Sequence, residues 1–265
     1  MLSVTPLKKS MPEKRVMLNS EQFISVIIPV YNEEDNLLPM LEELEAYLHR
    51  HLQDYEIIFI NDASTDNSES ILNRLKMINP RVRVVHHSKN CGESAAQSTG
   101  FKLARAEVLL TMDADMQNDP ADIHKLLSGL GPTVDCVCGV RQKRNDTRVK
   151  QISSWAANRF RNFVTGDQVA DAGCTFRVMR RNALQEIPAF NGLHRFLPTI
   201  LRLQGCQVVE VLIKDRPRAA GISKYGVGNR LWRGILDCMA MRWYARRVIP
   251  GRRTTKPQIL RAPER

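Results

Sequence analysis

The stretch ISVIIPVYNEEDN, residues 24–36, decides the fold. It opens with a β-branched apolar run of strand length. After the polar YNEEDN, Leu37, Leu38, Leu41, Leu44 and Leu48 recur at helical spacing. Strand, loop and helix then repeat. YEIIFI (55–60) runs into NDASTDNS, where Asp66 can cap a helix carrying Ile71, Leu72, Leu75 and Ile78. RVRVVHH (81–87) precedes the loop SKNCGE and a helix over about 93–105, and EVLLTMDAD (107–115) is followed by Pro120 in a first helical turn. VDCVCGV (134–140) is a fifth strand, ending at Arg141. Five strands alternating with helices predict one large α/β domain, a mostly parallel sheet with helices on both faces. Ligands bind such sheets beyond the carboxyl ends of the strands. The polar clusters fall there: Tyr31 to Glu33, Asp62, Asn90 to Gly92, Asp113 to Gln117, and Arg141. They predict a single site.

Beyond residue 150 the pattern loosens. A helix is expected over about 149–165, a strand over 173–179, helices near 180–187 and 194–204, a strand over 207–213 and a last helix over 229–247. The segments divide into a leader (1–22), a core (23–228) whose two halves meet at residue 140, the final helix (229–249) and a basic tail (250–265). Of 265 residues, 43% are hydrophobic and 25% charged, which excludes disorder over most of the chain. The longest uncharged apolar runs are about nine residues, short of the roughly 20 of a bilayer span, so no transmembrane helix is expected. The first residues lack the apolar stretch of a secretory signal. Six cysteines without a C-x-x-C pair read as reduced thiols of a cytoplasmic protein rather than metal ligands.

The net charge of +11 is unevenly spread: residues 1–140 carry net −7 and residues 141–265 net +18. The basic half should meet an anionic partner such as phosphate, an acidic membrane or nucleic acid. Nucleic acid is disfavoured, because no RNA-binding motif or interleaved aromatics accompany the charge.

Asp113 and Asp115 close an apolar strand, and alternation would turn both carboxylates to one side, as hard ligands for Mg²⁺ or Mn²⁺ bridging a nucleotide diphosphate. Asp62 can accept hydrogen bonds from a base or ribose, or it can merely cap the next helix. Pro29, Tyr31 and Glu33 offer an aromatic face and a carboxylate to the same nucleoside. No G-x-G-x-x-G follows the first strand, which argues against a dinucleotide.

The motifs ISVIIPVYNEEDN, INDASTDNS, NCGESAA with Gly100, and MDADMQNDP resemble the signatures of family 2 glycosyltransferases with the GT-A fold. GVRQKRNDTRVKQ, DAGCTFRVMRR and GISKY are similar to the polyisoprenyl-phosphate sugar transferases, the group of dolichyl-phosphate mannose synthase and the undecaprenyl-phosphate formamido-arabinose transferases. The resemblance implies a cell-envelope enzyme using a nucleotide-sugar donor and a polyisoprenyl phosphate acceptor. It implies that Pro29, Tyr31, Glu33, Asp62, Asn90 and Gly92 hold the nucleotide-sugar and that Asp113, Asp115 and Gln117 hold the metal and diphosphate. Arg141 and Arg177 match positions near the acceptor phosphate, and Arg218, Ser223 and Lys224 belong to a closing loop.

A phosphate monoester, with a second pKa of about 6, is already a nucleophile at neutral pH and needs cations rather than a base. Arg141 supplies a bidentate cation, unless a nearby carboxylate claims it. The alternative is a soluble saccharide acceptor. On the final helix, Leu231, Trp232, Ile235, Leu236, Met239, Trp243 and Tyr244 are expected on one side, with Arg230, Arg233, Asp237 and Arg242 largely opposite. That face would dock on the core or lie on an anionic inner membrane surface. A membrane-protein partner or a homo-oligomer is the other route to the lipid.

Overall fold

The computed structural model describes residues 22–142, 148–217 and 227–249. The strands are β1 (Ile24–Val30), β2 (Tyr55–Asn61), β3 (Val82–His86), β4 (Val108–Thr111), β5 (Cys136–Arg141), β6 (Arg177–Arg180) and β7 (Val208–Ile213). The helices are α1 (Leu37–His51), α2 (Ser68–Ile78), α3 (Glu93–Leu103), α4 (Ile123–Gly129), α5 (Arg148–Thr165), α6 (Leu193–Leu203) and α7 (Val227–Arg247). All seven strands form one sheet in the order β3-β2-β1-β4-β6-β5-β7, parallel except for β6, which runs antiparallel to both β4 and β5.

Alternation along β1 builds the two layers. Ile24, Val26, Ile28 and Val30 join the cluster containing Leu37, Leu41, Leu44 and Leu48 of α1, while Ile27 joins Ile58, Ile60, Ala96 and Leu109 on the opposite face. There α3 comes very close to the sheet: a Cβ on Gly100 would lie 2.3 Å from Ile27 Cγ2. A third cluster packs α6 (Phe196, Leu197, Ile200, Leu201) over Cys136, Cys138 and Met179. The six cysteines are free thiols, five of them buried.

Three expectations are corrected. The strand expected over 173–179 starts only at Arg177, because residues before it run through a turn, although Phe176 O still accepts the Gly139 amide (2.9 Å). The helix expected near 180–187 is a single 3₁₀ turn, Arg181–Leu184. On α7, Cys238 and Met241 are buried, whereas Leu236, Met239 and Trp243 (63% exposed) face out. The apolar face expected of that helix is therefore split: it rests on α5 through one edge and leaves the other uncovered. Among the described residues no helix is long and apolar enough to cross a membrane.

Candidate active site

The loops after β1 and β2 are laced together at the mouth of the sheet. Asn32, with φ of 53°, accepts the Thr65 amide on its side-chain oxygen (2.7 Å) while its own amide donates to Ser64 Oγ (3.0 Å). The Glu33 amide donates to Ser68 Oγ, and the Glu33 carboxylate accepts Asn36 Nδ2 (2.8 Å). Asp66 accepts the amides of Ser68 and Glu34. Although burial works against it, these bonds hold the Asp66 carboxyl below the usual range.

Asp62 is buried and fully engaged. Oδ1 meets His87 Nδ1 at 2.7 Å and accepts the Cys91 amide (2.9 Å), and Oδ2 accepts the Gly92 amide (2.7 Å). Gly92 has φ of 88°, a left-handed conformation that glycine adopts without a Cβ clash. Asp62 thus sets the course of the loop carrying Asn90 and Gly92 into α3. His87 and Cys91 could join Asp62 around a cation, their ligand atoms lying within 4.8 Å, at the expense of those bonds.

Asp113 and Asp115 lie just past β4. The last ladder bond is Met112 N to Ile27 O, after which the chain turns instead of continuing as strand. The expectation that strand alternation pairs the carboxylates is corrected: β4 ends at Thr111, and a turn brings them together. It is held by Asn118 Oδ1 on the Asp113 amide (3.1 Å), by Asp115 Oδ1 on the Gln117 amide (3.2 Å) and by Met116 at φ of 61°. Thr175, just before β6, donates to Asp113 Oδ1 (2.6 Å). Burial and the neighbouring Asp115 charge push the Asp113 carboxyl up to about 6. Two crowded carboxylates of this kind are a fitting donor set for a divalent cation, which relieves their repulsion. Gln117 turns toward the segment after β7: its Nε2 donates to Arg216 O (3.4 Å) and its carbonyl accepts the Arg216 amide (3.2 Å). The Arg216 guanidinium bridges Glu43 (2.6 Å) and Asp119 (2.8 Å).

Arg141 ends β5 in a fork with Asp171, Nε to Oδ2 at 2.7 Å and Nη2 to Oδ1 at 2.9 Å. Burial opposes its charge, and the Asp171 carboxylate more than restores it. Arg177 is 1% exposed; Nη1 donates to His194 O (2.7 Å), while Nε and Nη2 have no hydrogen-bond partner. The carboxyl-end loops of the sheet thus gather Asp62, Asp113, Asp115 and Gln117, with Arg141 and Arg177 on the neighbouring strands. Arg218, Ser223 and Lys224 lie outside the described residues.

The family model for glycosyl transferase family 2 matches residues 25–188, from the start of β1 past β6. The chain belongs to glycosyl transferase family 2. The glycosyltransferase is 30% identical over 236 residues to a dodecaprenyl-phosphate galacturonate synthase of Rhizobium johnstonii, covering 86% of this chain and 69% of the relative. It is 31% identical to an undecaprenyl-phosphate 4-deoxy-4-formamido-L-arabinose transferase of Edwardsiella ictaluri, covering 78% of this chain and 64% of that one. The glycosyltransferase thus spans about two thirds of the length of these relatives. Among solved structures, glucosyl-3-phosphoglycerate synthase of Mycobacterium tuberculosis in complex with Mn²⁺, UDP and phosphoglyceric acid superposes with a TM-score of 0.61 at 16% identity, over 87% of this chain and 80% of that one.

Several residues around the candidate site are not signalled in the sequence. Thr175 lies just before β6, inside the strand expected over 173–179, and Asp171 lies ahead of that stretch. Glu93, Ser94 and His194 join the starts of α3 and α6, far apart in sequence and with no periodic signal between them.

Proposed function

We propose that this glycosyltransferase moves a sugar, with inversion, from a nucleotide diphosphate donor to a polyisoprenyl phosphate. The crowding of Asp113 and Asp115 carries the donor side of this reading, since it calls for a cation where a leaving diphosphate would lie. Relatives named for polyprenyl-phosphate products support the lipid acceptor. A bound Mg²⁺ or Mn²⁺ would supply Lewis-acid neutralisation of the diphosphate. Asp113 and Asp115 would hold it, and Gln117 would brace their turn against Arg216.

In the transfer, an acceptor phosphate oxygen forms the bond to the anomeric carbon as the bond from that carbon to the donor diphosphate breaks. No proton has to be removed from the nucleophile. The chain's task is to hold two anions in line, which requires local positive charge. Arg141 provides it if the phosphate shares or displaces Asp171, and Arg177 supports from below the surface. Asp62 acts by shaping the loop of Asn90 and Gly92 around the nucleoside, with Pro29, Tyr31 and Glu33 opposite.

The test is product analysis with UDP- and GDP-sugars, Mn²⁺ or Mg²⁺, and either a polyprenyl phosphate or a soluble saccharide as acceptor. Glycosylated lipid phosphate is expected; transfer to the saccharide alone would refute the reading. Arg141→Ala should depress lipid-phosphate transfer far more than nucleotide-sugar binding, whereas equal losses would move the residue to the donor.

The acceptor's tail stays in the bilayer, since each buried methylene contributes about 0.8 kcal/mol. The enzyme must therefore work at the surface, and the cytoplasmic face of the membrane is its proposed location. Phe160 and Phe163 on α5 and Leu236, Met239 and Trp243 on α7 are exposed, with Arg246 and Arg247 at the end of α7. Such aromatics insert at the headgroup level, and each arginine adds about 1 kcal/mol near an anionic leaflet. Vesicles containing phosphatidylglycerol should float the parent chain at low salt and lose a Phe163→Ser/Trp243→Ser variant. Equal flotation of the two would transfer the role to a membrane-protein partner or a homo-oligomer.

A further inference from the structure

Glu93 opens α3, and His194 and Arg195 open α6. These helices meet near the turn that carries Asp113 and Asp115. The joint between them is made by Ser94, not by Glu93. Ser94 Oγ accepts the amides of Gly192 (3.1 Å) and His194 (3.3 Å) and lies 2.7 Å from His194 Nδ1. Glu93 makes weaker contacts: Oε1 accepts Gln97 Nε2 at 3.2 Å, and Oε2 stands 3.5 Å from His194 Nε2. Its side chain keeps 34% of its surface open. The Glu93 carboxyl is thus held by few contacts and is partly open beside the Asp113 turn.

The groups that act on its charge come from every neighbouring element: Asp113 and Asp115 from the turn after β4, Arg177 from β6, and Arg195 from α6. Burial, and then the Asp113 charge, lift its pKa to about 8. Behind it, Arg177 keeps two buried nitrogens without a hydrogen-bond partner. In the reading above the donor diphosphate is claimed by the cation on Asp113 and Asp115, so Glu93, which stands beside that turn without belonging to it, is left for a group that flanks the diphosphate. In a nucleotide-sugar, the diphosphate has the ribose on one side and the transferred sugar on the other, and Glu93 stands with Arg177 and His194, on the side away from the Pro29–Glu33 loop that would face the nucleoside.

We infer that Glu93, steadied by His194 and Arg195, is a specificity-determining residue that hydrogen-bonds a hydroxyl or amide N–H of the transferred sugar. The assignment rests on the donor use proposed above. A carboxyl suits the task because it accepts from such groups when ionised and donates as well when protonated.

The test compares two ligands on the full chain with Mn²⁺, by calorimetry: the nucleoside diphosphate and the corresponding nucleotide-sugar, in the UDP and GDP series. Glu93→Ala should weaken the nucleotide-sugar by about tenfold to a hundredfold, as for a ligand group left without its hydrogen-bond partner, and leave the diphosphate unchanged. Glu93→Gln, which keeps the shape and an acceptor, should recover part of the loss. Equal weakening of both ligands would place Glu93 on the metal or the diphosphate, and no change in either would make it a surface group; both overturn the inference. If the parent chain binds no nucleoside diphosphate at all, the donor reading itself fails, and this inference falls with it.

Discussion

Asp115→Ala is expected to abolish metal-dependent sugar transfer while leaving the protein folded. The Lewis-acid contribution is several kcal/mol of transition-state stabilisation, so turnover should fall by at least about a hundredfold. Folding should survive because Asp115 bonds the Gln117 amide within its own turn, whereas Thr175 secures Asp113 from the segment before β6. The variant also removes the like charge that raises Asp113, whose pKa should drift back toward the ordinary carboxylate range. In the parent chain the sign of the pH effect follows from the same residue. An acid with a folded pKa near 6 binds its proton more tightly folded than unfolded, so its contribution to stability is lost as pH rises from about 4 through 6. The metal-free protein should therefore gain more thermal stability from Mn²⁺ at pH 7.5 than at pH 5, where the proton competes. Wild-type turnover in excess chelator, or a Mn²⁺ shift independent of pH, would remove these carboxylates from the metal's company.

Gly100→Val should be among the most damaging single changes to the fold. A Cβ there lands 2.3 Å from Ile27 Cγ2 and 3.3 Å from Ile27 Cβ, inside a packed layer between α3 and β1. Replacing a helical glycine normally gains up to about 1 kcal/mol of propensity, but overpacking costs about 1–3 kcal/mol or more, and the clash is with a side chain that has no room to retreat. A net loss of about 2 kcal/mol lowers Tm by roughly 4–8 °C in a protein of this size. Activity should fall as well, because α3 carries Glu93 and β1 carries the Pro29–Glu33 loop. Ile27→Ala in the same chain should restore part of the stability. A Gly100→Val protein melting at the parental temperature would mean that α3 stands further from the sheet.

The sheet and the ring of loops at its carboxyl end were legible because β1 to β5 are signalled by local runs: ISVIIPV, YEIIFI and VDCVCGV each stop at a polar cluster. The reversed strand β6 was not legible, since four residues, RVMR, carry no direction and its neighbours β4 and β5 are remote in sequence. The same limit applied to the cations. A lone arginine does not announce its partner, so whether Arg141 would be claimed by a carboxylate was open until Asp171 appeared across a turn. The helix wheel of α7 gave an apolar side but not which edge of it α5 would cover.

The insertion of β6 between β4 and β5 also orders the birth of the protein. As the chain leaves the ribosome, β3, β2, β1 and β4 can pair with one another at once, leaving only the edge of β4 that later takes β6. β5 cannot follow. Its partners are β6 and β7, and it never touches β4, so residues 136–141 must wait until residue 180 has emerged. During that interval β4 presents an open edge and the Asp113 turn lacks Thr175. The nascent chain thus passes through a stage when the first four strands are formed and the turn carrying Asp113 and Asp115 is not yet braced, and chaperone dependence should concentrate in that stage.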